Sequence, residues 1–218
     1  MLDIINAAGW PIWPLIFASI IAVAIIFERL WTLRSNIIAP DNLLLEAQKM
    51  ITKDGVKKEA IQSLQNHSML GEIFASALNN YNSSSEIIKE AIEETGRAVN
   101  HKLERYLSTL ATIATVAPLL GLFGTIIGMV ELFGSFTSSG HDVAIFARGI
   151  SIALYNTAGG IVVAVPAMIA YRFFRSKIDN LVIEMEQQAI KLVEIINGNP
   201  YELHLSINSK LVISADDI

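Results

Sequence analysis

Residues 106–130 read YLSTLATIATVAPLLGLFGTIIGMV, 25 consecutive positions without a charge between Arg105 and Glu131. A helix needs about 20 apolar residues to cross the hydrocarbon of a bilayer, so this stretch is long enough to span one. Two more runs match it: 24 residues separate Asp3 from Glu28, and 23 separate Arg148 from Arg172. Across all 218 residues, 52% are hydrophobic and 17% charged, against roughly 25% charged in ordinary soluble domains. Mean hydropathy is +0.47. These values predict an all-α, polytopic membrane protein with three transmembrane helices, the second and third continuing as long helices into the cytoplasm. A net charge of −5 argues against nucleic acid as a partner, because such partners select basic patches. With no cysteine there is no disulfide, thiol nucleophile or Cys-based metal site.

The expected boundaries follow the charges. Residues 1–31 form an outer N-terminal segment and the first span, 32–105 a cytoplasmic helical domain, and 106–134 the second span. Residues 135–148 form a short outer loop, 149–171 the third span, and 172–218 a cytoplasmic helix and tail. A cleaved signal peptide would start basic and end at a small-residue site. This one starts with Asp3 and runs to Glu28-Arg29, so it reads as a retained span. Trp10, Trp13 and Trp31 sit near its ends, where aromatic rings favour the headgroup layer. Residues 1–10 hold no Lys or Arg, 29–105 hold ten, 135–148 hold one and 172–218 hold five. Positive charge marks the inner side, which puts the N-terminus outside and the C-terminus inside.

Between spans one and two the pattern is helical. Asp41 can cap a short helix that Gly55 ends. Further helices are expected from Val56 toward Asn66 and from Met69 to Tyr81. Ser83 with Glu86 offers a capping box. The apolar series Ile87, Ile88, Ala91, Ile92, Val99, Leu103, Leu107 and Leu110 then has helical spacing, which predicts one helix rising from cytoplasm into membrane. After span three, Ile178, Leu181, Val182, Met185, Ala189, Leu192 and Ile195 carry that helix inward until Gly198-Asn199-Pro200. Tyr201 to Ile218 reads as a loose tail or short strand, and no internal repeat is present.

Enzymatic motifs are missing. His67, His101, His141 and His204 are scattered without metal-ligand spacing, and no phosphate loop or nucleophile elbow occurs. No enzyme, cofactor or metal site is expected. The spans carry more information. Ala117, Gly121, Gly124 and Gly128 share one face of span two, and Ala153, Thr157, Gly160, Ala164 and Ala167 share one face of span three. Small residues let helix backbones approach closely in lipid, so these faces predict tight packing of spans two and three or of neighbouring subunits. Pro118 and Pro166 each remove a backbone donor within a span, leaving the carbonyls of Ala114 and Val162 without the usual partner. Kinked helices around a partly wet interior fit that loss.

Thr125 lies six residues from Glu131 and Thr157 nine from Arg148, depths of roughly 9 and 13 Å at the helical rise. Ser108, Thr112 and Thr115 extend a polar line inward. Each hydroxyl can bond its own helix, and a shared hydroxyl layer also fits a polar pathway. No Asp, Glu, His, Lys or Arg lies between Tyr106 and Val130 or between Gly149 and Tyr171. Proton carriers mark themselves with an intramembrane ionisable group, so a proton path here would take its carboxylate from another chain. Arg29, Arg34, Arg105, Arg172, Arg175 and Lys177 at the inner span ends suit membrane lipid, as interfacial anchors or anionic-lipid contacts. A solute transporter is disfavoured by three spans without repeats. A purely structural scaffold remains the alternative to a channel.

Ala117-Pro118-Leu119-Leu120-Gly121-Leu122-Phe123-Gly124-Thr125-Ile126-Ile127-Gly128-Met129 resembles the second-span signature of the MotA/TolQ/ExbB proton-channel family. Leu154-Tyr155-Asn156-Thr157-Ala158-Gly159-Gly160, with Ala164-Val165-Pro166-Ala167, resembles its third-span signature. The likeness runs from about Trp10 to Ile196 and, with three spans, is closer to ExbB and TolQ than to four-span flagellar stator subunits. It implies a Gram-negative inner-membrane subunit forming a homopentamer around a single-span partner of the ExbD or TolR type. That partner would supply an intramembrane aspartate. Proton flow would then drive a TonB- or TolA-like protein. By position in the motifs, Thr125 and Thr157 match the family's pore-facing threonines. Many members carry a glutamate five residues before the third-span threonine; here that position is Ile152.

Overall fold

The computed structural model describes residues 8–40, 42–50, 58–136 and 143–197. Within them the chain is all-helical: α1 Ile12–Thr32, α2 Ser35–Ile38, α3 Leu43–Lys49, α4 Lys58–His67, α5 Met69–Asn79, α6 Ser85–Leu103, α7 Leu107–Phe136 and α8 Val143–Ile196. Three stretches are long and apolar enough to cross a membrane: Ile12–Thr32, Leu107–Gly134 and Ala147–Ile196. The protein is an all-α polytopic membrane protein. Asp41, Gly55, His141, His204, Gly198-Asn199-Pro200, the 201–218 tail and residues 137–142 of the 135–148 loop lie outside the described residues.

Contacts divide the chain into two compact units, Met1–Thr32 with Arg105–Ser176, and Leu33–Glu104 with Lys177–Ile218. In the first, α1 buries Ile12, Leu15, Ala22 and Ile25, one stripe at helical spacing. Phe17, Ile20, Phe27, Leu119, Leu122, Val130, Leu154, Val162 and Ile169 stay exposed. A helix apolar on every side suits lipid, which wets such side chains as well as a core would. Ala8, Ile12 and Leu15 pack with Ala117 and Ala164 into one cluster. Trp10 meets Phe123 edge-to-face at 6.1 Å between ring centroids. Both prolines sit inside unbroken helices, Pro118 in α7 and Pro166 in α8.

The second unit is built like a water-soluble domain. Leu64, Leu70, Ile73, Phe74, Ala77, Leu78, Ile88 and Val99 are buried. Ser68 caps α5 by accepting from the Gly71 amide at 3.0 Å, satisfying a donor that has no partner within the helix. Position 71 requires glycine because a Cβ there would run into the Leu64 carbonyl of α4. Ser76 Oγ donates to the Ala91 carbonyl at 2.9 Å, and Lys102 Nζ pairs with Glu72 at 2.7 Å. The C-terminal part of α8 buries Ile178, Leu181, Met185, Ala189 and Leu192.

Two local expectations change. The N-cap of α6 is Ser84 rather than Ser83, and Ser84 makes no side-chain cap bond to the backbone. Instead the Glu86 backbone N–H and the Ser84 side chain hydrogen-bond the Glu86 carboxylate and hold it below the ordinary glutamate range. The periodic series from Ile87 to Leu110 is also not one helix. It breaks at Glu104–Tyr106, where Tyr106 takes a left-handed φ of 66°. A non-glycine residue in that region carries strain of about 1 kcal/mol or more. The guanidinium carbons of Arg105 and Arg29 lie over the tyrosine ring, 4.8 and 5.3 Å from its centroid. Such cation–π contacts offset part of the strain.

Candidate functional site

The faces of small residues on α7 and α8 meet. A Cβ on Gly121 would lie 2.8 Å from the Asn156 carbonyl oxygen and 3.3 Å from Gly160 Cα, and one on Gly160 would lie 2.7 Å from the Ala117 carbonyl oxygen. Toward the other end, a Cβ on Gly128 would lie 2.8 Å from the Gly149 carbonyl and 2.9 Å from the Ala153 amide nitrogen. These pairs define an antiparallel contact made backbone to backbone. Without a hydrophobic drive between helices in lipid, close approach and dispersion supply the attraction, and only residues lacking a bulky Cβ substituent permit it.

The register fixes the level of the threonines. Gly124 faces Asn156, Gly128 faces Ala153, and Leu132 faces Gly149. Thr157 therefore falls opposite position 123, two residues from Thr125, or about 3 Å along the axis. Both threonines are half-buried. The Thr125 hydroxyl donates to the Leu122 carbonyl of its own helix at 2.6 Å. Thr112 and Thr115 do likewise, to Ser108 at 2.8 Å and to Ala111 and Thr112 at 3.1 and 3.0 Å. Local bonding thus uses the hydroxyl hydrogens of Thr112, Thr115 and Thr125 and leaves oxygen lone pairs to accept. Thr125 borders a shallow recess with Ile126, Met129, Val130, Phe133 and Gly134.

One polar residue in this layer has no place in the sequence-derived site. Asn156 is fully buried, and its side-chain nitrogen donates to the carbonyls of Ala8 and Ile152, each at 2.8 Å. Gly124 makes room for it, since a Cβ there would fall on the Asn156 side chain. Ile152, one turn away, is itself buried. The only carboxamide within the second and third charge-free runs was the available signal. At the opposite end of α1, Arg29 is 3% exposed and pairs with Glu28 at 3.0 Å. It is held in the protein rather than reaching to water as a residue at a span end would. Among the described residues no cluster of His, Cys, Asp or Glu could hold a metal ion.

The model of the MotA/TolQ/ExbB proton channel family matches residues 65–187, which include α7 and the membrane part of α8. The chain belongs to that family. It is 33% identical over 176 residues to an ExbB-like biopolymer transport protein of Synechocystis sp., covering 78% of this chain and 82% of that one. A second ExbB-like protein of the same organism is 30% identical over 176 residues, covering 79% and 69%. The Tol-Pal system protein TolQ of Pseudomonas aeruginosa is 42% identical over 82 residues, covering 37% and 36%. Family membership makes the α7–α8 pair part of a proton-channel-type subunit.

Proposed function

We propose that this chain forms the wall of a proton-conducting complex in a bacterial inner membrane and is not itself an enzyme. Its N-terminus faces the periplasm and its C-terminus the cytoplasm, as the Lys/Arg asymmetry favours. Five copies surround a single-span, ExbD-like partner whose intramembrane aspartate supplies the titrating group that spans two and three lack. Thr125 and Thr157 line the path, their oxygens accepting hydrogen bonds from water or from the partner's protonated carboxyl. The work is passed to a TonB-like protein that energises import across the outer membrane.

The observation that supports this reading best is the tight α7–α8 pair, which brings two hydroxyl residues to one level within stretches, 106–130 and 149–171, that carry no Asp, Glu, His, Lys or Arg. Gly121, Gly124, Gly128 and Gly160 keep the pair close, and Pro118 and Pro166 leave the Ala114 and Val162 carbonyls to be satisfied from a neighbouring helix or a wet interior. Thr157→Val keeps the shape and removes the hydroxyl. It is expected to abolish energised uptake in a complementation assay while assembly with the partner persists; Thr125→Val gives a milder loss. Undiminished uptake with Thr157→Val would remove the pathway assignment and leave a packing scaffold. The TolQ likeness over 82 residues supports a second reading, service to envelope maintenance through TolR- and TolA-like proteins. Uptake unaffected by deletion, together with detergent sensitivity, would favour it.

A further inference from the structure

Asn156 makes a bond that packing alone does not require. Its carboxamide is fully buried among spans that carry no Asp, Glu, His, Lys or Arg from Leu107 to Val130 or from Gly149 to Ala170. The nitrogen donates both its hydrogens, one to the Ile152 carbonyl on its own helix and one to the Ala8 carbonyl 148 residues earlier. Both neighbours are acceptors, so chemistry fixes which end of the amide faces them. The oxygen is thereby turned toward Gly124, 2.9 Å from where a Cβ would stand, and it has no hydrogen-bond partner.

A half-satisfied buried amide is costlier than an apolar side chain of the same volume. If filling the gap beside Gly124 were the only requirement, a leucine or methionine would cost less. What the amide adds is a tie between three segments: residue 8 just before the left-handed turn at Gly9 (φ 73°), α7 at Gly124 and α8 at Ile152 and Asn156. Ala8 lies beside Ile12 and Leu15 in the cluster that joins α1 to α7 and α8. Its carbonyl would otherwise face an apolar layer, where an unmet backbone acceptor is strongly disfavoured. Thr157 follows Asn156 directly and Thr125 follows Gly124. Any rotation of α8 that carried Thr157 off its face would pull the amide from Ala8.

We infer that Asn156 is a positioning residue for the proton pathway, a hydrogen-bonded latch that fastens the N-terminal segment to α8 and sets the facing of Thr157 against α7. The inference rests on the pathway reading proposed above. It deepens that reading by naming the side chain that holds the path in register.

The test uses the full-length protein, co-reconstituted in vesicles with an ExbD-type partner, and two readouts. One is proton flux. The other is labelling of an Ala8→Cys variant by a membrane-impermeant maleimide, in a chain that otherwise has no cysteine. Asn156→Leu is expected to lower flux and speed labelling about tenfold, the effect of one net hydrogen bond, at every pH. Asn156→Asp makes the latch titratable. Protonated, it donates one hydrogen and labelling stays slow; ionised, it is repelled by two carbonyl oxygens and labelling rises. Labelling relative to the Asn156 protein therefore climbs with pH, and the low-pH state serves as the folding control; the rise in Asn156→Leu, whose side chain fills the same gap, is the result packing would not give. Unchanged labelling in both variants overturns the latch. Faster labelling with undiminished flux in Asn156→Leu overturns its positioning role. A wild-type complex that carries no protons defeats the pathway reading instead, while the labelling still decides the latch.

Discussion

The α7–α8 contact and the core around α5 bury residues by opposite means. Around α5 the buried groups are large: Phe74, Leu70, Leu78 and Ile88 are all but inaccessible. Water drives that burial, at about 25 cal/mol per Å² of apolar surface. Between α7 and α8 the closest contacts are made at Gly121, Gly124, Gly128, Gly149 and Gly160, while large apolar side chains such as Leu119, Leu122, Val130, Leu154 and Val162 stay exposed. Lipid offers no reward for hiding them, so attraction comes from backbone proximity and from polar ties such as Asn156. One chain thus carries two packing rules, each set by its solvent.

Substitutions should separate the two rules. Gly124→Leu places a branched side chain where Asn156 sits and should cost upward of about 3 kcal/mol. The expected result is a large drop in the thermal midpoint of the detergent-solubilised protein; a midpoint equal to wild type would contradict the close contact. Phe74→Ala is expected to destabilise the second unit by about 3–5 kcal/mol through the cavity it leaves. Membrane insertion should be retained, as fractionation and limited proteolysis would show. Lys102→Met, breaking the half-exposed 2.7 Å pair with Glu72, should cost no more than about 1 kcal/mol in the same melt. The smallest effect is expected from Glu86→Gln. The Glu86 carboxyl has a lowered pKa in the folded chain. Its contribution is therefore complete above the ordinary value and lost as pH falls through the folded one. The variant should flatten the acid limb of stability against pH, and an unchanged limb would show that the local hydrogen bonds add nothing.

Much of this fold can be read without coordinates because lipid imposes long-range regularity. The three charge-free runs locate the spans, and the 3.6-residue period picks out the faces of small residues that meet. Two features escape such reading. The break at Tyr106 has no glycine or proline to announce it; cation–π contacts of its ring with Arg29 and Arg105 help sustain a conformation that local propensity disfavours. Asn156 escapes because a search of a span for ionisable groups passes over an amide, whose importance depends on what it meets. The helix cap shows a milder version: Ser83 and Ser84 are equivalent on paper, and the backbone selects Ser84.

What the sequence by itself determined is the number of spans, their faces of small residues and the family likeness. Each depends on composition and spacing along single helices, and the bilayer's thickness and dielectric act on every helix alike. What only the tertiary structure decided is the antiparallel register that sets Gly124 against Asn156 and Gly128 against Ala153, the left-handed turn between α6 and α7, and the bond from Asn156 to Ala8. Those depend on which groups distant in the chain come within 3 Å of each other, and a hydrogen bond between residues 8 and 156 leaves no periodic trace in the segments between them.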